Sequence, residues 1–416
     1  MKPEFKVHPH VIDLIGRLHA ADHEGYIVGG GVRDLLLNLE PKDYDIATSA
    51  TPSQIKRIFR RQARVIGRRF RLVHVRYSSI VYEVSTFRRE PTPEERVARE
   101  DDDGVVIWRD NQYGSREEDA RRRDFTVNAI FYNPLGKGEL IDCVGGLSDL
   151  EEGMVRTIGE PAVRLAEDPV RILRALKLVA EYDFSMEEDL RQEVSRQGEK
   201  ISQASSSRLF EELLKIFAKP YSVKTLAVCR QFDFLVHFLP GLDRIWDEKS
   251  GLLLRRLAAA RDRRKYQGGY WKSRRLALAT IAFPAVLEEL GIDDPADFNE
   301  VPFEEDKTIK RAIKDLFAPL PLPNALIANV KDLILLFPRF FDQEEKNINQ
   351  VVRNPQYRWA RELFSLCSEV LEWAPEVSEP WPPSDAGPPP RGRRGRDRRR
   401  SRRGGRRPRQ KPDSEE

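Results

Sequence analysis

Short apolar runs separated by turn signals dominate the first third of the chain. Tyr26–Val28, Tyr44–Ile46, Leu72–Tyr77, Ile80–Thr86 and Ala129–Tyr132 read as β-strands. Two helices are predicted among them. One follows the glycines over Val32–Asn38, and the other starts at the Thr51-Pro52-Ser53 cap and carries Ile55, Ile58 and Phe59 on its inner side. The stretch Arg88–Arg123 has few apolar residues, two early prolines and the acidic cluster Glu100–Asp103, which predicts a surface loop ending in a helix. Beyond about residue 150 the strand signals fade. Val170–Glu181, Leu209–Ala218, Ser222–Phe232 and Leu326–Phe337 show helical spacing instead. The expected class is α+β: a small mixed sheet with helices over residues 1–150, then an all-α part divided at 151–220 and 221–374. A proline-rich linker and tail over 375–416 complete the chain, and no internal repeat is visible.

Composition narrows the possibilities. The chain has 416 residues, 33% of them charged and 40% apolar, enough for two or three globular domains. It has no run of 18 apolar residues, and Met1–His8 lacks the apolar core of a signal peptide, so a cytoplasmic protein without a membrane span is expected. Cys143, Cys229 and Cys367 are too few and too scattered for a disulfide framework or a zinc site. The net charge of +4 hides a division: residues 391–411 carry +12 and the last five −3, which leaves −5 on residues 1–390. So basic a tail, with Arg393, Arg394, Arg398, Arg399, Arg402 and Arg403 among its arginines, should stay disordered and attract phosphates.

Candidate chemistry begins at Gly29-Gly30-Gly31-Val32-Arg33-Asp34. Glycines let backbone approach a ligand, the following helix start offers N–H groups, and Arg33 offers a guanidinium for phosphate; an ordinary tight turn has the same look. Asp43 and Asp45 flank Tyr44, so in an extended strand both carboxylates share one face. Such oxygen ligands suit Mg²⁺, though a solvated surface turn is the ordinary alternative. In Ile80–Thr86, Glu83 shares a face with Val81 and Ser85, and an acid in so apolar a strand needs either a ligand or a salt bridge.

Five segments then occur in a distinctive order: Gly29–Asp34, Asp43–Asp45, Arg122-Arg123-Asp124-Phe125-Thr126-Val127-Asn128-Ala129, Asp142–Leu147 and Glu167-Asp168-Pro169-Val170-Arg171-Ile172-Leu173-Arg174-Ala175. Over about residues 24–218 the chain resembles the class II nucleotidyltransferases of the polymerase β superfamily, which include tRNA CCA-adding enzymes and bacterial poly(A) polymerases. The resemblance implies a polymerase β-like head, a helical neck and an RNA-binding helical body. It implies two Mg²⁺ ions on Asp43 and Asp45, with Glu83 as the third acidic position, and transfer of a nucleotide to RNA 3′ ends. Gly29, Gly30, Arg33, Arg122, Arg123, Asp124 and Asn128 would hold the nucleotide, the arginines through forked contacts to phosphate.

Asp168 and Arg171, three apart, would lie on one helical face, where a plain helix-start salt bridge is the bland reading. In the family this pair reads the incoming base: carboxylate to exocyclic amine, arginine to the adjacent ring nitrogen. Adenine and cytosine fit, whereas guanine and uracil present each group with its own kind, which costs about 1–3 kcal/mol per unpaired group. Arg174 would support Arg171, and Arg208 could reach back toward the same pocket. ATP as substrate and the poly(A) branch are favoured by the wording of Val65–Val75 (basic Arg68, Arg69 and Arg71) and Asp110–Asp119, and by the arginine tail. No His-Asp pair follows His237, so the phosphohydrolase domain of some CCA-adding enzymes has no ligands here. CCA addition to tRNA and a non-catalytic RNA-binding protein remain as alternatives. No motif names a protein partner such as an RNA-decay or RNA-chaperone protein.

Overall fold

The computed structural model describes residues 5–67, 71–90, 92, 99–100, 106–107, 112–268, 273–298 and 306–383. The head contains strands β1 (Gly25–Val28), β2 (Asp45–Thr48), β3 (Ala63–Ile66), β4 (Leu72–Tyr77), β5 (Ile80–Thr86), β6 (Arg99–Glu100), β7 (Val106–Ile107), β8 (Phe131–Asn133) and β9 (Glu139–Ile141). Seven of them form one sheet in the order β3-β4-β5-β2-β1-β8-β9, and β6 pairs with β7 in a separate ribbon. At the centre β1 runs antiparallel to β2, and β2 runs parallel to β5 with Asp45 opposite Glu83.

Helices α1 (Pro9–His19), α2 (Gly30–Leu36) and α3 (Pro52–Phe59) lie against one side of this sheet. The first escapes the sequence reading, although Val11, Leu14, Ile15 and Leu18 are buried at helical spacing. Thr51 and Gln54 form a complete capping box at the start of α3, as the cap signal predicted. Ile27, Ile46, Tyr82 and Val84 face this layer, whereas Val28, Ala47 and Phe131 belong to a smaller cluster on the opposite side. Period-2 alternation puts Asp45 and Glu83 on that second side, with Ala47. Asp43 lies outside β2, in the loop that leads into it, so its position is set by that loop rather than by alternation along a strand.

The predicted loop Arg88–Arg123 does end in a helix, α4 (Arg116–Arg121), capped by Ser115 and Glu118. After α5 (Gly146–Glu151) come two strands, β10 (Met154–Val155) and β11 (Ser185–Met186), that pair with each other, and the rest is helical. The neck comprises α6 (Pro161–Glu167), α7 (Val170–Tyr182), α8 (Glu188–Gln197) and α9 (Ser206–Ala218). The body comprises α10 (Ser222–Gln231), α11 (Leu235–Phe238), α12 (Pro240–Ile245), α13 (Lys249–Tyr266), α14 (Arg274–Glu289), α15 (Asp306–Phe317), α16 (Asn324–Leu336), α17 (Glu345–Val352), α18 (Tyr357–Val370) and α19 (Pro375–Ser378). Helix α14 is apolar all round and buried at its centre, where α13, α15, α16 and α18 pack on it. No helix among the described residues is long and apolar enough to cross a membrane.

One boundary moves. The linker expected from residue 375 is still part of the body at 383: Trp381 is buried, packs against Phe340 with ring centres 4.6 Å apart and planes tilted by 57°, and donates its indole N–H to the Phe340 carbonyl at 3.0 Å. The Tyr357 hydroxyl donates to the Pro382 carbonyl at 2.6 Å. A proline-rich composition spoke for a linker, but one tryptophan in a pocket outweighs it. Residues 384–416, with every tail arginine named above, lie outside the described residues, as do Arg68, Arg69 and Asp101–Asp103.

Candidate active site

Pairing of β2 with β5 sets Asp45 beside Glu83, and the loop before β2 adds Asp43. Burial pushes the Asp45 carboxyl upward, Glu83 and Asp43 push it further, and Arg123 and Arg174 pull it back. Three acids thus crowd their charge where two cations only partly offset it. Cross-strand from Glu83, His74 holds Nε2 3.5 Å from its Oε1. Among the described residues no group of three or more His, Cys, Asp or Glu forms a ready-made metal cage. Oxygen-only donors of this sort nevertheless fit Mg²⁺, which takes one or two carboxylates and fills its other positions with water and substrate phosphate.

Gly29 is where the glycine turn meets these acids. Its φ of +77° suits glycine, and a Cβ built there would lie 3.5 Å from Asp45 Oδ2 and 4.0 Å from an Arg123 guanidinium nitrogen. A Cβ at Gly30 would press within 3.1 Å of the Arg33 guanidinium, and one at Gly31 within 3.2 Å of the Asp43 carbonyl. The turn therefore works by close packing on both sides.

Arg33 occupies a different place from the one expected of a phosphate ligand. Its side chain is buried, stacks on Tyr182 at 4.3 Å and donates to Asn128 Oδ1 (2.6 Å), Asp34 Oδ1 (2.8 Å) and the Tyr182 hydroxyl (2.5 Å). Asn128 in turn donates to Asp124 Oδ1 at 3.4 Å, and Asp124 Oδ2 pairs with Arg174 at 2.7 Å. The chain of contacts begins and ends on α7, at Arg174 and Tyr182, about 12 Å apart along its axis. Arg33, Asp124 and Asn128 thus clamp the head to the neck, which motif spacing had suggested only as nucleotide contacts.

Arg122 and Arg123 both pair with Asp119, at 2.9 and 2.7 Å. Burial raises the Asp119 carboxyl, but the two arginines and the Arg88 backbone N–H bring it net below its ordinary value. Arg164 supports the same turn from α6 by donating to the carbonyls of Arg122 and Arg123, both at 2.8 Å. Neither Asp119 nor Arg164 stood out in the sequence. Their signal is burial, which one charged residue among many does not announce.

The expected common helical face of Asp168 and Arg171 is absent, because α6 ends at Glu167 and Asp168 is extended (φ −148°, ψ 93°) before α7 begins. Pro169 follows Asp168 and disfavours a helical conformation there. Arg171 NH1 donates to Glu167 (3.0 Å) and the Arg164 carbonyl (2.6 Å). Asp168 Oδ2 accepts from Arg208 of α9 at 2.8 Å. Arg208 thus bridges from α9 to Asp168, and α9 is held to α7 by the Lys177–Glu212 pair at 2.7 Å.

Similarity to known proteins extends over most of the chain. A family model described as "Poly A polymerase head domain" matches residues 25–156, and one described as "Probable RNA and SrmB- binding site of polymerase A" matches residues 183–246. Poly(A) polymerase I of Salmonella typhi is 31% identical over 94% of this chain and 88% of its own length. The chain belongs to the poly(A) polymerase I family. A CCA-adding enzyme of Geobacillus thermodenitrificans is 35% identical over 63% of this chain and 60% of its own. The crystal structure of Bacillus stearothermophilus CCA-adding enzyme in complex with CTP shares the fold, with a TM-score of 0.59 at 25% identity over 89% of this chain and 82% of that one. Membership makes the protein a nucleotidyltransferase with a mixed head, a helical body and a nucleotide substrate.

Proposed function

We propose that this protein is a template-independent polynucleotide adenylyltransferase: the RNA 3′-hydroxyl attacks the α-phosphorus of ATP, the chain grows by one AMP, and pyrophosphate leaves. The observation that carries the reading is the Asp45–Glu83 register with Asp43 beside it, facing Gly29 and Arg123. Asp43 and Asp45 would hold Mg²⁺, with Glu83 as the third acid. When bound, the metals lower the pKa of the attacking hydroxyl and neutralise the leaving pyrophosphate. The chain's own residues do the rest. Gly29 and Gly30 let the triphosphate approach the backbone, and Arg122 and Arg123, pre-oriented by Asp119, present cations to it. Asp168 keeps carboxylate lone pairs for an exocyclic amine while Arg208 fixes its orientation, and Arg171 donates to the adjacent ring nitrogen.

The poly(A) product over CCA is supported by the match to poly(A) polymerase I along 94% of the chain, and by the arginine tail. Counterion release gives such a tail affinity for RNA of any sequence, which suits an enzyme that accepts many 3′ ends. The test supplies ATP, CTP, GTP or UTP singly, with a generic RNA and with tRNA lacking its CCA end. Long products from ATP on the generic RNA are expected; CCA addition confined to tRNA would overturn the poly(A) reading.

A further inference from the structure

A groove of about 600 Å³ opens in the body between the start of α13, the C-terminal half of α14 and the chain that leaves α18. Nothing in the proposed reaction uses it. Much of its lining is apolar: Leu253, Pro284, Leu287 and Leu371 join the half-buried Trp373, and Leu252 is 51% exposed. Against this surface stand four acids, Glu248, Glu288, Asp293 and Asp294, and two cations, Lys249 and Arg256. Both cations are engaged. Lys249 pairs with Asp293 at 3.2 Å, and Arg256 donates to the Val370 carbonyl. Glu248 and Glu288 are exposed and have no ion-pair partner among the described residues. Ser250 lines the same groove at 8% exposure, and its Oγ has no hydrogen-bond partner. A buried hydroxyl without a partner calls for one from a ligand.

A ligand that fits carries apolar stems and cationic heads. Arginine has both: its methylenes cover leucine and indole surface, and its guanidinium forks onto carboxylates and donates to a hydroxyl. The chain itself supplies a segment dense in arginine, since residues 391–411 carry +12 against −5 on residues 1–390. Ring-to-ring steps of 4.6, 4.9 and 5.4 Å lead from Trp381 through Phe340 and Phe364 to Trp373 in the groove. The two tryptophans are thus at most about 15 Å apart, and the eight steps from residue 383 to Arg391 reach at most about 28 Å. Pro388–Pro390 precede the arginines, and proline-rich segments suit aromatic-lined grooves.

We propose that this groove is a docking surface for a basic segment, and that its occupant in the RNA-free protein is the chain's own arginine-rich tail. A tail too charged to bury rests on an exposed acidic surface instead. RNA phosphates compete for the same arginines, so the groove holds the tail's affinity for RNA in check until RNA displaces it.

The test uses the full-length protein. Paired cysteines, Leu252→Cys with Ser401→Cys, are joined by a short bismaleimide and the adducts mapped by mass spectrometry. The control pairs Ser401→Cys with Tyr266→Cys, a residue 77% exposed and about 21 Å away along α13. The yield at Leu252 should exceed the control at least about fivefold, and should fall to the control level with excess oligoribonucleotide or in about 1 M salt. Equal yields at the two sites, or adducts that join two copies of the chain, would overturn docking within one chain. RNA affinity supplies a second measurement. Glu248→Gln/Glu288→Gln, at exposed positions and isosteric with the native acids, should tighten oligoribonucleotide binding about threefold. The gain should vanish when Arg393, Arg394, Arg398, Arg399, Arg402 and Arg403 are all changed to Gln. An equal gain on both backgrounds would mean only that an acidic surface repels RNA, and would overturn the groove's hold on the tail. Neither measurement involves nucleotide transfer, so failure of the adenylyltransferase reading leaves both intact.

Discussion

Glu212→Gln tests whether the packing of α9 on α7, which carries Arg208 to Asp168, depends on a buried charge pair. Glu212 lies on α9, one turn beyond Arg208, and its carboxylate accepts from Lys177 of α7 and from Lys215, each at 2.7 Å. Its side chain is only 9% exposed. Burial alone would raise its pKa, yet Lys177 first, then hydrogen bonds from both lysines, bring it from 4.5 to about 2. At 1.36 kcal/mol per unit, that is about 3 kcal/mol of stabilisation of the charged form. Lys177 moves the other way: burial lowers its pKa despite Glu212. The pair as a whole therefore stabilises less than the carboxyl shift alone suggests. Removing the acid leaves a largely buried ammonium without its partner, at a cost of about 2–3 kcal/mol. The sign with pH follows from a depressed carboxyl: the stabilisation is complete above pH 4.5 and is lost as pH falls toward 2. Urea unfolding followed by far-UV circular dichroism, at neutral pH and down an acid series, measures both. The variant should lose midpoint stability at neutral pH and a corresponding part of the wild-type acid slope. The double variant Lys177→Met/Glu212→Leu should recover most of the loss. A neutral-pH loss below about 0.5 kcal/mol, typical of an exposed pair, would refute the reasoning.

Three further outcomes are expected. Asp45→Asn should lower nucleotide transfer by at least about a thousandfold while RNA retention on a filter changes less than about twofold, because the amide loses the negative charge a metal needs but leaves the RNA surfaces untouched; retained activity would remove the two-metal role. Asp168→Asn presents an amide that can also donate, so preference for ATP over GTP, measured as the ratio of kcat/KM values, should fall by about tenfold or more. Deleting residues 391–416 removes a +12 segment and a −3 end and should flatten the dependence of RNA affinity on salt; an unchanged slope would exclude phosphate contacts by the tail.

Strands β4 and β5 coincide with their predicted spans because alternation over six or seven residues is hard to imitate. Helix α7 likewise matches its apolar stripe, and α3 its capping box. Strands β3 and β9, four and three residues long, carry too little periodicity to stand out. The site was legible as motifs, but its internal wiring was not. Arg33 read as a phosphate ligand and is a buried clamp; Asp168 and Arg171 read as helix neighbours and are parted by the end of α6; Asp119 registered only as the end of the segment Asp110–Asp119, and Arg164 and Tyr182 not at all.

What the sequence determined by itself is the chemistry: carboxylates, glycines and arginines in an order that names a nucleotidyltransferase, and a tail whose charge excludes burial. Those are properties of residue type and spacing, and they survive without coordinates. What only the tertiary structure decided is which groups meet. Asp45 faces Glu83 because two strands pair in parallel, in one register, across 38 residues of chain. Arg208 meets Asp168 across 40 residues because helix packing, anchored by Lys177 and Glu212, brings α9 back along α7. Hydrogen bonds and ion pairs form between neighbours in space, and local sequence carries no record of neighbours that only packing creates.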